Sequence, residues 1–301
     1  MALKVEYVSK KFNQFVAVNQ ISFEVKKGEM LGFLGRNGAG KTTTFRMILG
    51  LSEPTEGRIT YEGKLIDHTV YNRVGYLPEE RGLHPKVTVS DELKYLATLK
   101  GMDSKAVKEA IDYWLTRFKI SENRDKKIES LSKGNQQKVQ LLASMLHEPE
   151  LLILDEPFSG LDPVNVELLK KAIKELNDKG TTIIFSSHRM EHIEELCDSI
   201  CIMNKGELVV QGDIQTVKET AGYKRIVVDA PYDLTEVETL PGVLKHEVIK
   251  TEHYFTVKDE SVAEAVFKMI QDKGYVKRFQ LMDPTINEIF IEKVGDIDEE
   301  I

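Results

Sequence analysis

Eight residues, Gly35-Arg36-Asn37-Gly38-Ala39-Gly40-Lys41-Thr42, narrow the folds open to this chain more than any other stretch. They fit the spacing G-x-x-x-x-G-K-[ST], and their flanks match what that spacing requires. Residues 29–34 read as a short buried strand, and residues 43–49 as a helix opening directly from the loop. Glycine lets the backbone curl until successive N–H groups point into one concavity, and the helix N-terminus behind it adds roughly half a positive charge. Polyphosphate is the natural occupant. Lys41 would neutralise its β- and γ-phosphates, and the Thr42 hydroxyl would ligate the Mg²⁺ that bridges them.

A second stretch supplies the other half of such a site. Leu151-Leu152-Ile153-Leu154 has the uninterrupted apolar character of a central parallel strand, and Asp155-Glu156-Pro157 follows at once. Two carboxylates at the end of a buried strand are costly unless they hold a metal or a water. With a glycine loop on one strand and Asp155 on another, the pair reads as a Mg-nucleotide site in which Asp155 orders the metal's hydration. Residues 181–187 form another apolar strand carrying His188 at its end, where ligands of α/β sheets bind, so His188 reads as functional.

Around these motifs strands and helices alternate. Residues 3–8 and 21–25 read as strands around a turn region that carries Phe12, which is either a core residue or a platform for a base. A peripheral strand at 58–61 and another at 74–77 follow, the latter ending in Pro78-Glu79-Glu80. Residues 91–118 are helical with a break at Gly101, and a polar capping stretch at 131–137 opens a further helix, so a helical insertion spans about 91–147. Beyond His188, a helix at 190–197, a strand at 199–203 and a turn into 208–210 complete the unit. Near Ala221 the alternation stops. The remainder reads as strands at 226–228, 253–258 and 275–281, an apolar helical stripe over 262–270, a last helix from Ile286, and a frayed acidic end at 296–300.

Composition closes several alternatives. With 301 residues, 41% of them hydrophobic, there is material for one large domain and a small one. A net charge of −8 without a dense basic run argues against a nucleic-acid partner. Cys197 and Cys201 lack a second pair and read as buried reduced thiols, which fits a cytoplasmic compartment. No secretion signal opens the chain, and no apolar run nears the roughly 18 residues that span a bilayer. Any membrane-spanning part belongs to another chain.

Taken in order, these motifs over residues 3 to about 220 resemble the ATP-binding subunit of an ABC transporter. The resemblance implies an α/β P-loop NTPase cassette at 1–220 with a helical subdomain, plus a small C-terminal α+β domain at 221–301. It implies that ATP is bound by Phe12 stacking on adenine and by Gly35, Arg36, Asn37, Gly38, Ala39, Gly40, Lys41, Thr42 and Thr43. Residues 131–136 resemble the signature segment and 159–162 the D-loop. Ser132, Lys133, Gly134, Asn135, Gln136 and Asp162 would then contact nucleotide held by the other subunit of a head-to-tail homodimer, at a helix N-terminus suited to the γ-phosphate. Glu156 would be the general base and His188 the γ-phosphate contact. Thr42, Asp155 and Glu79 would serve Mg²⁺. Lys133 and Asn135 stand where the signature usually has Gly and Gln, and Glu79 stands where the family usually has Gln.

Asp283-Pro284-Thr285-Ile286-Asn287-Glu288-Ile289-Phe290 resembles the appendix of ABC-2-type exporter ATPases. Gly75-Tyr76-Leu77-Pro78-Glu79-Glu80-Arg81-Gly82 is similar to sodium-efflux NatA-type subunits. The expected function is therefore ATP hydrolysis driving a separately encoded integral membrane permease in Na⁺ or drug efflux, from the inner face of the cell membrane. The competing readings are a non-transport ATPase of the same class and a nucleotide-dependent regulatory module. Against the first, there is neither a second cassette nor a coiled coil between loop and Asp-Glu strand; against the second stands Glu156.

Overall fold

Three runs with scarcely a polar side chain form the centre of the first unit. β3 (Met30–Gly35), β7 (Leu151–Asp155) and β8 (Thr182–Ser186) are buried at every position, as strands covered on both faces must be. The computed structural model describes residues 2–65, 70–80 and 82–295. Arg81 of the Gly75–Gly82 stretch and the acidic end expected to fray lie outside the described residues.

The elements run in the order β1 (Leu3–Phe12), β2 (Phe15–Val25), β3, α1 (Lys41–Ile48), β4 (Glu56–Tyr61), β5 (Lys64–Leu65) and β6 (Val74–Leu77). Then come α2 (Val89–Leu99), α3 (Ser104–Arg117), α4 (Lys133–Met145), β7, α5 (Pro163–Asp178), β8, α6 (Met190–Leu196), β9 (Ser199–Asn204) and β10 (Glu207–Asp213). One sheet has the order β10-β9-β3-β8-β7-β6, and its neighbours from β9 to β6 pair in parallel. A second sheet, β2-β1-β4-β5, is antiparallel. Leu3, Val5, Phe23 and Ile59 of the small sheet share a core with Phe33, Ile153 and Ile184 of the large one and with Phe45 and Ile48 of α1. Phe33 sits 5.5 Å from Phe23 and 5.4 Å from Phe45, ring centre to ring centre. Burying each such ring contributes about 1.5–3 kcal/mol.

Compact grouping divides the chain into Met1–Gly212 and Asp213–Ile301. The second unit holds α7 (Ile214–Glu219), β11 (Lys224–Asp229), β12 (Val243–Ile249), β13 (Glu252–Val257), α8 (Ser261–Ile270), β14 (Arg278–Met282) and α9 (Ile286–Val294). Its sheet, β12-β13-β11-β14, has its own core, in which Ile226, Val228 and Phe255 meet Val262, Val266 and Ile270 of α8. Thr285 and Glu288 form a reciprocal cap at the start of α9.

Several expectations need correcting. Residues 9–20 are not a turn region: β1 and β2 extend into a hairpin that turns at Asn13, whose φ of 54° suits a tight reversal. Phe12, at the end of β1, is 51% exposed, so it is not a core residue. The helical stretch begins at Val89 because the Thr88 hydroxyl caps it by accepting from the Asp91 N–H at 3.2 Å. α7 groups with the second unit, where the Gln215 amide reaches the Asp283 carboxylate at 3.5 Å. β12 was not expected because it is an edge strand, mostly exposed, and its charged residues break any alternation.

Just past the end of α4 lies a partly buried titratable group. The His147 Nε2 is 3.2 Å from the Val74 carbonyl, which also accepts from the Lys100 Nζ at 2.8 Å. Burial, with the Lys100 charge second, pulls the His147 pKa from 6.5 to about 4. In the unfolded chain this imidazole takes up a proton near pH 6.5, and in the folded one it does not. Its contribution to stability is therefore present above about pH 6.5 and lost as pH falls toward about 4. Denaturant unfolding of wild type and His147→Gln across pH 4–7.5 should show the wild type losing about 2 kcal/mol more than the variant on acidification. Parallel pH dependences would contradict the assignment.

Candidate active site

Because β3, β8 and β7 are adjacent and parallel, their C-terminal ends bring three loops to one edge. From β3 comes the glycine loop. Gly40 has φ 108° and a Cβ there would lie 2.6 Å from the Ala17 carbonyl oxygen, so only glycine fits where the loop turns into α1. Gly35 is held as closely, a Cβ there falling 2.6 Å from the Met203 carbonyl oxygen. The Lys41 Nζ donates to the Gly35 carbonyl at 2.7 Å and the Arg36 carbonyl at 3.2 Å. Burial pulls the Lys41 amine down in pKa, and the charges of Glu156, Asp155 and Glu79 oppose that shift.

From β7 come Asp155 and Glu156. Asp155 is 1% exposed and accepts two hydroxyl hydrogen bonds, from Thr42 Oγ1 at 3.0 Å and from Ser186 Oγ at 2.6 Å. Ser186 Oγ in turn accepts from the Glu156 N–H at 3.0 Å. The Glu156 carboxylate lies 2.8 Å from the His188 Nδ1. Burial raises the Glu156 pKa, with His188 and Lys41 opposing and the Asp155 charge adding to the rise. A carboxylate so placed is a stronger base than one in water, provided it stays ionised.

The structure thus joins Lys41, Thr42, Asp155, Glu156 and His188 in one site. Thr42 Oγ1 with Asp155 Oδ2 is an oxygen pair of the kind Mg²⁺ prefers. Among the described residues no group of three or more His, Cys, Asp or Glu could hold a metal alone, so a cation here would complete its shell with other oxygens. Glu79 is exposed on the loop after β6, near enough for its charge to act on Lys41. Phe12 is half exposed at the hairpin end, with the Lys10 Nζ over its ring, 5.2 Å from the centroid.

The remaining sequence-derived residues form a separate group at two helix starts. Ser132 caps α4, its hydroxyl accepting from the Asn135 N–H at 3.3 Å, and Lys133 beside it is exposed. Gln136 turns back, donating its side-chain amide to the Ile128 carbonyl at 3.0 Å and the Leu131 carbonyl at 3.2 Å. Asp162 caps α5, accepting from the Asn165 N–H at 3.1 Å, which holds its carboxyl below the usual range. Gly134 comes near this second helix start, since a Cβ there would be 3.5 Å from the Leu161 side chain. Sequence reasoning missed Ser186. Its only signal was a hydroxyl ending an apolar strand beside the one that ends in Asp155.

The comparisons agree with this architecture. The family profile described as ABC transporter matches residues 18–159, and the one described as ATP-binding protein DrrA1-3-like, C-terminal domain, matches residues 212–294. YhaQ of Bacillus subtilis, an uncharacterized ABC transporter ATP-binding protein, is 48% identical over 99% of this chain and 100% of its own length. The bacitracin transport ATP-binding protein BcrA of Enterococcus faecalis is 32% identical over 99% of this chain and 93% of its own length. The ABC transporter ATP-binding protein NatA of Bacillus subtilis is 36% identical over 68% and 85%. A solved structure of the ATP binding subunit of an ABC transporter superposes with a TM-score of 0.70 at 31% identity, covering 74% of this chain and 94% of that one.

The chain belongs to the ATP-binding subunits of ABC transporters, which are ATPases, and it carries the C-terminal domain of the DrrA-like group. Were a triphosphate to sit in this loop, replacing Lys41 with Ala would remove its main counter-charge. The ATPase kcat/KM should fall at least about 10²-fold, as on loss of a transition-state donor. Steady-state assays that find wild-type turnover would exclude the loop as the phosphate site.

Proposed function

We propose that this protein is the ATP-hydrolysing subunit of an ABC exporter, acting as a head-to-tail pair beneath a separately encoded integral membrane permease. The observation that carries the proposal is the 2.8 Å contact of His188 with Glu156, set beside Thr42 and Asp155 at the ends of three adjacent parallel strands. No helix among the described residues is long and apolar enough to cross a membrane, so a spanning permease would be another chain. The export direction draws on a relative from Burkholderia lata, the Nod factor export ATP-binding protein I, 32% identical over 96% of this chain and 95% of its own length. It extends to efflux of Na⁺ or drug-like cargo from the cytoplasmic face.

In this reading the exposed start of α4, with Ser132 and Gly134, faces the nucleotide bound by the second copy. Backbone N–H groups of a helix start suit a γ-phosphate. Lys41 leaves its loop carbonyls for the β- and γ-phosphates, and the exposed ring of Phe12 receives the adenine. Thr42 and Asp155 are the residues that would hold Mg²⁺, which would supply neutralisation of phosphate charge. Glu156 takes the proton of the attacking water. His188 holds the Glu156 carboxylate in position and reaches toward the γ-phosphate.

Glu156→Gln keeps the shape of the site but removes the base. Its turnover should fall by the roughly 10² to 10⁴ of general-base catalysis, and ATP should hold it as a dimer. Light scattering with ATP that finds a monomer, or an assay that finds full activity, would overturn the assignment.

Glu79 is proposed to face the metal from the loop after β6. A carboxylate there keeps a metal-seeking oxygen and adds negative charge near the phosphates. Glu79→Gln should raise the Mg²⁺ needed for half-maximal ATPase severalfold while leaving Mg-free ATP binding equal or tighter. Titrations at fixed ionic strength that superimpose for the two proteins would make Glu79 a surface residue.

A further inference from the structure

Glu156 is held in the left-handed backbone region, with φ 50°. A residue with a Cβ adopts that conformation at a cost, and keeps it only where its surroundings impose it. Two restraints are contacts of neighbouring strands and helices. Ser186 Oγ takes the Glu156 N–H at 3.0 Å. Two residues on, the ring of Phe158 is buried with ring centres 5.4 Å from Phe185 and 4.9 Å from His192. The third restraint falls between them. The Pro157 carbonyl accepts a hydrogen bond from the side-chain amide of Gln137 at 3.0 Å.

Gln137 is 8% exposed and lies in the first turns of α4, the helix that Ser132 caps. Three residues along, the amide of Gln140 donates to the Pro78 carbonyl at 3.3 Å and the Glu80 carbonyl at 2.9 Å, on either side of Glu79. Residues three apart share a helix face. That face of α4 therefore grips both acidic loops by their backbones, while its start carries Ser132 and Gly134. Neither glutamine touches Lys41, Thr42 or Asp155 in any hydrogen bond among the described residues, so their effect on chemistry passes through the loops they hold.

We propose that Gln137 is a positioning residue for ATP hydrolysis: by fixing the Pro157 carbonyl it imposes the strained backbone that aims Glu156 at the attacking water. The inference rests on the reading of Glu156 as the base. Because Gln137 stands on the helix that opens with Ser132, movement of that helix start against a second copy's nucleotide is passed to Glu156 by one hydrogen bond. Gln137 thus belongs to the hydrolytic step and not to nucleotide binding.

The test is a double-mutant cycle on the full-length chain. Gln137→Met keeps the length of the side chain and removes the donor. Gln137→Glu keeps the shape and sets a carboxylate against the carbonyl. Each should lower kcat about tenfold or more, since a small misplacement of a catalytic group suffices for that, while KM for ATP stays within twofold. In the Glu156→Gln background the same substitutions should cost nothing further, because there is no base left to misplace. A multiplicative loss in that background, an unchanged kcat, or a change confined to KM would overturn the proposal. So would failure of both variants to fold, which would make the amide a requirement of the core. Full turnover by Glu156→Gln alone is a different result: it removes the base reading and leaves the cycle without its reference.

Discussion

One buried carboxylate ties the site together. Asp155 is almost fully enclosed, and its two oxygens are taken by hydroxyls from the first turn of α1 and from the end of β8. A buried charge left without partners would cost several kcal/mol, whereas hydroxyls that donate to it recover most of that and set its direction. The three loops therefore cannot move independently. Shifting the glycine loop moves Thr42, Thr42 moves Asp155, and Ser186 links that motion to the backbone of Glu156.

The same geometry explains why so much of this region could be read from residue types. β3, β7 and β8 are buried on both faces, and such strands must be written as apolar runs. A loop with backbone contacts as close as those of Gly35 and Gly40 must be written with glycine. What escaped was carried by residues whose type gives no sign of their task. Ser186 looks like any polar residue at a strand end. Gln137 and Gln140 look like the polar face of an exposed helix, yet both are buried, because a glutamine can bury its stem and spend its amide on a carbonyl. Burial of that kind depends on which loops pack against α4, and those loops are far away in sequence.

The second unit was less legible for a related reason. Its small antiparallel sheet has two edge strands, and β12 is among them, with Lys245, His246 and Glu247 interrupting any alternation. Edge strands answer to solvent as much as to the core, so their composition resembles that of loops. The stripe of Val262, Val266 and Ile270 was readable because α8 meets the sheet along one face. At the other end of the chain, the hairpin of β1 and β2 hid behind exposed residues such as Phe12 and Phe15, placed in extended backbone but turned away from the core.

The left-handed backbone at Glu156 also bears on how durable the protein is. A non-glycine residue in that region gives up about 1–3 kcal/mol of folding free energy, and this one adds the cost of sheltering a carboxylate whose burial raises its pKa. The position is thus a local weakness that the chain tolerates for its chemistry. On the proposed reading of Glu156 as the base, a glycine at 156 would relax the backbone and remove the charge, leaving a protein that resists heat better and turns over far more slowly. Selection for thermal endurance alone would therefore tend to erase the proposed base, and any homologue hardened at this point should be examined first for loss of activity.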